Sequence, residues 1–540
     1  MGDHRSIALA AALLLATAAG VRAEPVRLVL VVSIDQLRAD RLDPELPGGL
    51  GRVAREGRVY RDAVLDHAIS ETCPGHAVIL SGRHPGATGL VGNRFFDAEQ
   101  EVVGCAVDPS EGSEVIGAER KGASPRTLRV TTLGDWMKQA NGGARVFAVS
   151  GKDRAAIALA GQHPDAAYWL RDNEPVGFTS SRYYMEALPE WVGHFNGADP
   201  PRDGFFSWLP EEWVHDPAAV ARSPREDDYP GEADQLSRTS PHPLRDDDLE
   251  VFAEQLFASP YVDDVMLAFA TELVLQEGLG LGPTVDLLAV SLSGTDIVGH
   301  RYGPFSHESA DALARLDAAF ATFLAFLESR LGAGSVLLAL SSDHGVLPLP
   351  EWMDETGQST CPVEGGRAAL RGMGLGLLWR MHWKLSPFRL PRQWVDFAGN
   401  QLAVKRSLAE SRGVEVERAV EVAREYLAEQ PSIEHVWTRE EIETGTSEVA
   451  RLYRNSYDPE RSGDLAVQIA PTCLISFYDV GTSHGTPYDY DRHIPLVFWG
   501  PGLEPRRVTG PAASVDIAPT LAHRLGVATP SDLDGKVLFD

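Results

Sequence analysis

The sequence predicts an α/β fold with a mostly parallel central sheet flanked by helices, and three observations predict it. Apolar, β-branched runs suited to strands recur at Val26–Ser33, Val146–Val149, Val285–Leu292, Val336–Leu340 and Leu496–Trp499. Between them lie stretches such as Ser309–Leu331, where apolar residues return every three or four positions, as on one face of a helix. Three of the runs then end in a carboxylate or an Asp-His set: Asp35, Asp296 with His300, and Asp343 with His344. Continuous apolar runs suit strands covered on both faces, and ligands of such open sheets sit beyond the carboxyl ends of the strands.

Taken in chain order, residues 1–23 read as a secretory signal. Arg5 precedes the apolar run Ile7–Ala19, and Val21-Arg22-Ala23 has the spacing that signal peptidase accepts. The run is short for a transmembrane helix, and no cysteine stands near the cleavage point to carry a lipid. Asp3 beside Arg5 weakens the basic start, which leaves an uncleaved anchor as the alternative. The expected product is a catalytic unit of residues 24–540, exported to the periplasm or cell exterior, with no stable membrane anchor.

The formal net charge is −28 at pH 7. It becomes one unit more negative without residues 1–23, because Arg5 and Arg22 outnumber Asp3. Such a chain lacks the basic footprint of a nucleic-acid partner and repels anionic membranes. Cys73, Cys105, Cys361 and Cys473 are too few and too scattered for a zinc ribbon or a disulfide-built scaffold. In an exported protein they form one or two disulfides, whose pairing is left open.

Two stretches break the alternation and are expected to be insertions that wall or cover the site. One, about residues 155–280, is rich in Trp, Pro and acidic residues; the other, about 351–470, mixes helix and loop. Within the second, Arg371–Leu390 sets Leu375, Leu377, Leu378, Trp379, Trp383 and Leu385 among Arg and Lys. That composition can make a membrane-surface helix. Its Gly and Pro residues make a poor continuous helix, so packing in a core or domain interface is expected instead.

Asp35, Asp296, His300, Asp343 and His344 gain one more partner in the Gly-bounded loop Thr482-Ser483-His484-Gly485-Thr486. Three aspartates and three histidines suit two zinc-like ions with three protein ligands each and an open position. Two neighbouring ions can stabilise both the entering and the leaving oxygen of a displacement at phosphorus. Any one fragment could merely cap a turn; four fragments together carry the metal reading. The nucleophile is expected in Glu71-Thr72-Cys73-Pro74-Gly75-His76-Ala77. There Thr72 would stand at a helix N-terminus among anion-binding N–H groups, an ordinary N-cap threonine being the plain alternative.

Ser33-Ile34-Asp35-Gln36-Leu37-Arg38, Thr72 to Ala77, Gly92-Asn93, Thr295-Asp296-x-x-Gly299-His300, Ser342-Asp343-His344-Gly345 and His484-Gly485-Thr486-Pro487 stand in a telling order. With these motifs the chain resembles the alkaline phosphatase superfamily, most of all its secreted, threonine-nucleophile, phosphate-irrepressible PafA-like branch. The resemblance implies two Zn2+ ions, one on Asp296, His300 and His484, the other on Asp35, Asp343 and His344, with Thr72 at both. It also implies that Asn93 and the Lys152-Asp153-Arg154 pair of cations hold the phosphoryl oxygens. A monoester carries two negative charges, which cationic Lys and Arg stabilise; diesterases of the superfamily tend to replace the pair with an apolar pocket. Lys152 is further expected in place of a magnesium-type third ion, so no Mg2+ requirement is expected.

The expected function is that of a secreted, zinc-dependent, monomeric phosphomonoesterase. It would hydrolyse small phosphate monoesters through a phosphothreonine and release inorganic phosphate. Alternatives are a phosphodiesterase or nucleotide pyrophosphatase of the same superfamily, a sulfate or phosphonate ester hydrolase, and a catalytically silent exported zinc-binding protein. His76 and His307 read as helix-start or packing residues, and Asp153, Asp489 and His493 as outer partners or surface charges. A sulfatase would need Pro two places after Cys73 and Arg four places after it; here Pro74 follows Cys73 directly and Ala77 stands at the fourth place. Cys73 is then a wall of the site or half of a disulfide, with Cys105 as a candidate partner.

Overall fold

The computed structural model describes residues 26–118, 122–171, 176–198, 202–233, 237–245 and 248–540. The expected signal segment, 1–23, lies outside these residues. A nine-stranded sheet runs in the order Gly177–Thr179, Ala166–Arg171, Val146–Ser150, Asp286–Leu292, Leu28–Ile34, Val336–Ser341, Leu496–Trp499, Arg58–Tyr60 and Arg506–Val508. The five strands from Ala166–Arg171 to Val336–Ser341 are parallel. Gly177–Thr179 and Leu496–Trp499 run against their neighbours. The sheet is therefore parallel at its centre and mixed toward its edges.

Every residue of Leu28–Ile34 is buried, and alternation along the strand separates the two faces. Leu28, Leu30, Val32 and Ile34 pack with Phe269, Phe320 and Leu324 from the helices Tyr261–Glu277 and His307–Leu331. Val29 and Val31 join Ile79, Leu80 and Trp136 from the helices Thr72–Ser81 and Leu133–Ala140. Full burial of each such side chain stabilises by about 1.5–3 kcal/mol over exposure, so covering both faces favours an uninterrupted apolar strand. Register then sets Ser150, Ser291, Ser33 and Ser341 side by side across four strands. Asp35, Asp296 and Asp343 follow within a few residues, which brings them to one edge.

The first excursion from this core is shorter than the sequence suggests. Asp153–Ala160 is a helix on the sheet, and Ala166–Arg171 and Gly177–Thr179 are sheet strands. Tyr261–Glu277 packs into the core through Val265, Phe269 and Leu273. Ala166–Arg171 escapes a pattern search because it carries Ala, Tyr and Trp instead of a β-branched run. Between these elements the chain forms short pieces, among them Glu190–Asn196 and the paired strands Glu212–Trp213 and His242–Pro243.

The second excursion builds a small unit of its own. Val395–Ala398, Gln401–Val404, Leu465–Ile469 and Ile433–Thr438 form an antiparallel sheet in that order. Leu402, Val422 and Leu427 centre its core, joined by Leu377 and Met381. The last two belong to Leu370–Leu385, which is one continuous helix despite Gly372, Gly374 and Gly376. That corrects the expectation of a broken helix: packing of one face outweighs the low intrinsic propensity of glycine. The opposite face stays open, with Leu375, Trp379 and Trp383 at 61, 47 and 64% exposure.

Cys73 is bonded to Cys105 and Cys361 to Cys473. The first bridge holds the start of the Thr72–Ser81 helix; the second closes the base of the second excursion.

Candidate active site

The six predicted ligands come together as two groups of three. Asp35, Asp343 and His344 present donor atoms within 4.8 Å of one another, and so do Asp296, His300 and His484. In the first group His344 Nε2 lies 3.5 Å from Asp35 Oδ1 and 3.3 Å from Asp343 Oδ2. In the second, Asp296 Oδ1 lies 3.2 Å from His300 Nε2 and 3.9 Å from His484 Nε2. Asp296 and His300 occupy Gly294–Tyr302 four residues apart, the helical spacing that puts both on one face. The groups adjoin: the rings of His344 and His484 stack with centroids 3.5 Å apart.

The histidines are oriented for coordination. His300 donates Nδ1–H to Thr482 O at 2.8 Å, His344 to Gly345 O at 3.0 Å and His484 to Ser70 O at 2.6 Å. Each therefore turns the lone pair of Nε2 into its group, as metal-bound histidines do when a carbonyl fixes the tautomer. His344 Nε2, Asp35 Oδ1 and Asp343 Oδ2 are buried and have no hydrogen-bond partner. Buried polar atoms are rarely left so, and three converging on one point match the needs of a divalent cation. The charge balance agrees. Burial, then the nearby Asp296 and Asp343 carboxylates, hold the Asp35 carboxyl well above its usual range.

Lys152 lies between the groups. Its ammonium donates to Asp35 Oδ2 and Asp296 Oδ2, both at 2.5 Å. Burial alone would lower its pKa, but the Asp296 and Asp35 charges outweigh burial and raise it. For Asp296, likewise, Lys152 and His300 overcome burial and hold the carboxyl well below the usual range.

Thr72 opens the Thr72–Ser81 helix and is 1% exposed. The segment around it touches both groups: Ser70 O holds His484, while His76 Nδ1 lies 3.2 Å from Asp343 Oδ2. Gly75 permits this approach, since a Cβ there would stand 2.2 Å from Asp343 O. Asn93 Oδ1 accepts from Cys73 N at 2.8 Å, and Asn93 N donates to Glu71 Oε2 at 2.6 Å. Asn93 thus stands at the mouth of the helix. Burial raises the Glu71 carboxyl above its usual range, and the Asn93 N–H bond and then the Arg154 charge offset only part of that rise.

Three contributors escape a sequence reading. Gln36, in a left-handed conformation at φ 69°, donates from its backbone to Asp343 Oδ1 at 3.1 Å and from its side chain to Asp296 Oδ1 at 2.7 Å. Its place directly after Asp35 was the available signal. Glu71 ties Asn93 to the helix start, and buried Asp491 accepts from Thr486 N and Oγ1 at 2.8 and 2.7 Å, holding the His484 loop. Asp489 and His493, singled out from sequence, flank Asp491; His493 Nε2 instead meets Arg61 O at 2.7 Å. His76, read as a packing residue, is fully buried on Ser291 Oγ and Thr72 O.

A sequence profile of the type I phosphodiesterase / nucleotide pyrophosphatase family matches residues 29–487. The alkaline phosphatase PhoK of Sphingomonas sp is 31% identical, covering 96% of this chain and 92% of its own length. The alkaline phosphatase PafA of Elizabethkingia meningoseptica is 29% identical over 95% of this chain and 94% of its own. The solved structure of wild-type PafA superposes with a TM-score of 0.84 at 28% identity, covering 95% of this chain and 98% of that one. No described helix is long and apolar enough to cross a membrane. The chain belongs to the type I phosphodiesterase / nucleotide pyrophosphatase family and, within it, is similar over nearly its whole length to the PafA-like alkaline phosphatases.

Proposed function

We propose that the protein is an exported phosphomonoesterase in which Thr72 is the nucleophile. One observation carries the reading: buried Thr72 at a helix start, in a segment whose Ser70 and His76 meet the two ligand groups that Lys152 joins. Asp35, Asp343 and His344 would hold one Zn2+, and Asp296, His300 and His484 a second. When bound, zinc supplies Lewis acidity to the entering and leaving oxygens. Thr72 Oγ1 attacks phosphorus, a Thr72–phosphorus bond forms, and the ester bond breaks to release the alcohol. Water then cleaves the phosphothreonine and frees inorganic phosphate. N–H groups at the helix start offer donors to the phosphoryl oxygens.

Asn93, Lys152 and Arg154 hold those oxygens, and two cations suit a dianionic monoester. Lys152 stands between the ligand groups in place of a third ion, so no Mg2+ is required. The two disulfides fit an oxidising compartment, in keeping with removal of residues 1–23 and a mature unit of 24–540 acting as a monomer. N-terminal sequencing of the secreted protein checks the cleavage.

A phosphodiesterase is the second reading, favoured by an apolar cavity beside the site that could seat a second organic group. Hydrolysis of an aryl phosphate and the matching diester by the zinc-loaded protein, with a chelated control, separates the two. Chelator-sensitive turnover of the monoester far above the diester is expected; a diester preference overturns the proposal.

A further inference from the structure

A second cluster of metal-binding side chains lies where the first excursion meets the His307–Leu331 helix. His215 Nε2 and His242 Nε2 are 3.2 Å apart, and Glu308 Oε1 is 3.8 Å from the first and 3.4 Å from the second. Donors bound tetrahedrally to one zinc at about 2.0–2.2 Å stand roughly 3.3–3.6 Å from one another, so these atoms are spaced as ligands. Glu308 is fully buried and neither of its carboxylate oxygens has a hydrogen-bond partner. A charge so placed is costly unless a cation meets it. The remaining ring nitrogens have orienting neighbours: Asp227 Oδ1 lies 3.5 Å from His215 Nδ1 and 3.2 Å from His307 Nδ1, and the Tyr302 hydroxyl lies 3.4 Å from His242 Nδ1.

We propose that His215, His242 and Glu308 bind a further divalent cation of the zinc class, outside the phosphoryl site. The ion pins the paired strands Glu212–Trp213 and His242–Pro243 to the start of the His307–Leu331 helix through Glu308. Its test is metal content after zinc loading and desalting, with wild type beside His242→Ala and the near-isosteric Glu308→Gln. Each variant is expected to hold one equivalent less than wild type, whatever the wild-type total. Should His242→Ala fail to fold, Glu308→Gln decides alone. Equal zinc in wild type and Glu308→Gln overturns the site in favour of a plain His–Glu ion pair.

A different feature carries a second inference, which rests on the monoesterase reading. A cavity of about 790 Å³ has Glu71 and His484 at one end, with Leu377, Met381, Ile475 and Phe477 among its apolar walls. That is the size and lining of a small-molecule site, and its lining includes His484 of one ligand group and Glu71, which holds Asn93. The helix that walls it turns Trp379 and Trp383 outward. We infer that the cavity takes the alkyl or acyl chain of an amphiphilic phosphate monoester whose phosphate lies at Thr72.

Two readouts test this with alkyl phosphates kept below their micelle concentration. From butyl to decyl phosphate, kcat/KM is expected to rise about three- to fourfold per methylene. Decylphosphonate is expected to bind far more tightly than methylphosphonate, with a negative heat-capacity change in calorimetry. Gly374 lines the same cavity, and an added Cβ there meets nothing within 4 Å, so Gly374→Trp fills the space and should flatten the series. A flat series in wild type, with butyl phosphate turned over, overturns the inference and spares the monoesterase reading. Chain-dependent phosphonate binding without turnover of any monoester does the reverse.

Discussion

The Lys152 ammonium lies 2.5 Å from Asp35 Oδ2 and equally close to Asp296 Oδ2. One cation thus ties a carboxylate of the first ligand group to a carboxylate of the second, and it is 8% exposed. Its side chain comes from the turn after Val146–Ser150, two strands away from Leu28–Ile34 in the sheet. Three buried aspartates and one lysine leave a negative excess that divalent cations would neutralise.

Lys152→Ala should therefore act twice. Without metal, Asp35 and Asp296 would face each other unpaired, and stability should fall by about 3–5 kcal/mol, as for broken buried ion pairs. With zinc, monoester kcat/KM should fall about 10- to 100-fold and diester kcat/KM much less. Denaturant unfolding of the metal-free protein and paired ester assays read the two effects; an unchanged monoester-to-diester ratio would show that Lys152 does not meet the phosphoryl group.

Thr72→Ala removes the only atom assigned to attack. Turnover should drop by about a thousandfold or more, while zinc content and melting temperature stay near wild type. Acid-quenched wild type incubated with labelled ester should carry phosphate on Thr72 and the variant none. A variant retaining most of its rate would rule out the covalent route.

Chelation should abolish turnover by at least about a hundredfold and lower the melting temperature, with both restored by zinc. The physical cause is the exposed mismatch of charge: Asp35 Oδ1, Asp343 Oδ2 and His344 Nε2 are buried without partners. Scanning calorimetry with and without chelator checks it.

Gly75→Ala should cost about a hundredfold in kcat with little change in zinc content. Its Cβ would stand 2.2 Å from Asp343 O, so the Thr72–Ser81 helix must shift away from that ligand group, and displacements near 1 Å are costly at a reacting centre. Kinetics of the purified variant beside its metal analysis give the answer.

Asp263 makes stability depend on pH. Burial lifts its carboxyl to about 7, against the Gly294 N–H bond that draws it down. In the unfolded chain it ionises near 3.8. Between those values the folded form binds more protons than the unfolded, so its contribution to stability falls as pH rises through that window. Asp263→Asn keeps the acceptor and should flatten the slope, becoming the more stable protein above pH 7; urea unfolding of both proteins across the window checks it, and a variant that keeps the wild-type slope would overturn the account.

Much of the sheet could be read from the chain because strands and helices write themselves locally. Leu28–Ile34 and Asp286–Leu292 are mostly apolar since both faces are covered, and chemistry gathers where such runs stop. Ala166–Arg171 did not announce itself, because its strand character comes from neighbours on either side rather than from β-branched residues. Leu370–Leu385 does not read as a helix for a related reason: three glycines argue against it locally, and Leu377 and Met381 argue for it only once the unit behind them exists.

The sequence by itself determined the α/β class, the six ligand candidates, Thr72 and the cations after Val146–Ser150, all of them features of short segments. Tertiary structure decided which ligands stand together, which histidine nitrogen faces inward, how the cysteines pair and where Lys152 lies. It also assembled His215, His242 and Glu308, three residues with no shared motif, and opened the cavity behind Glu71. These outcomes depend on contacts between positions up to hundreds of residues apart, such as Gln36 with Asp343 and Ser70 with His484. Crossover connections and sheet register set such contacts, and local periodicity carries no record of them.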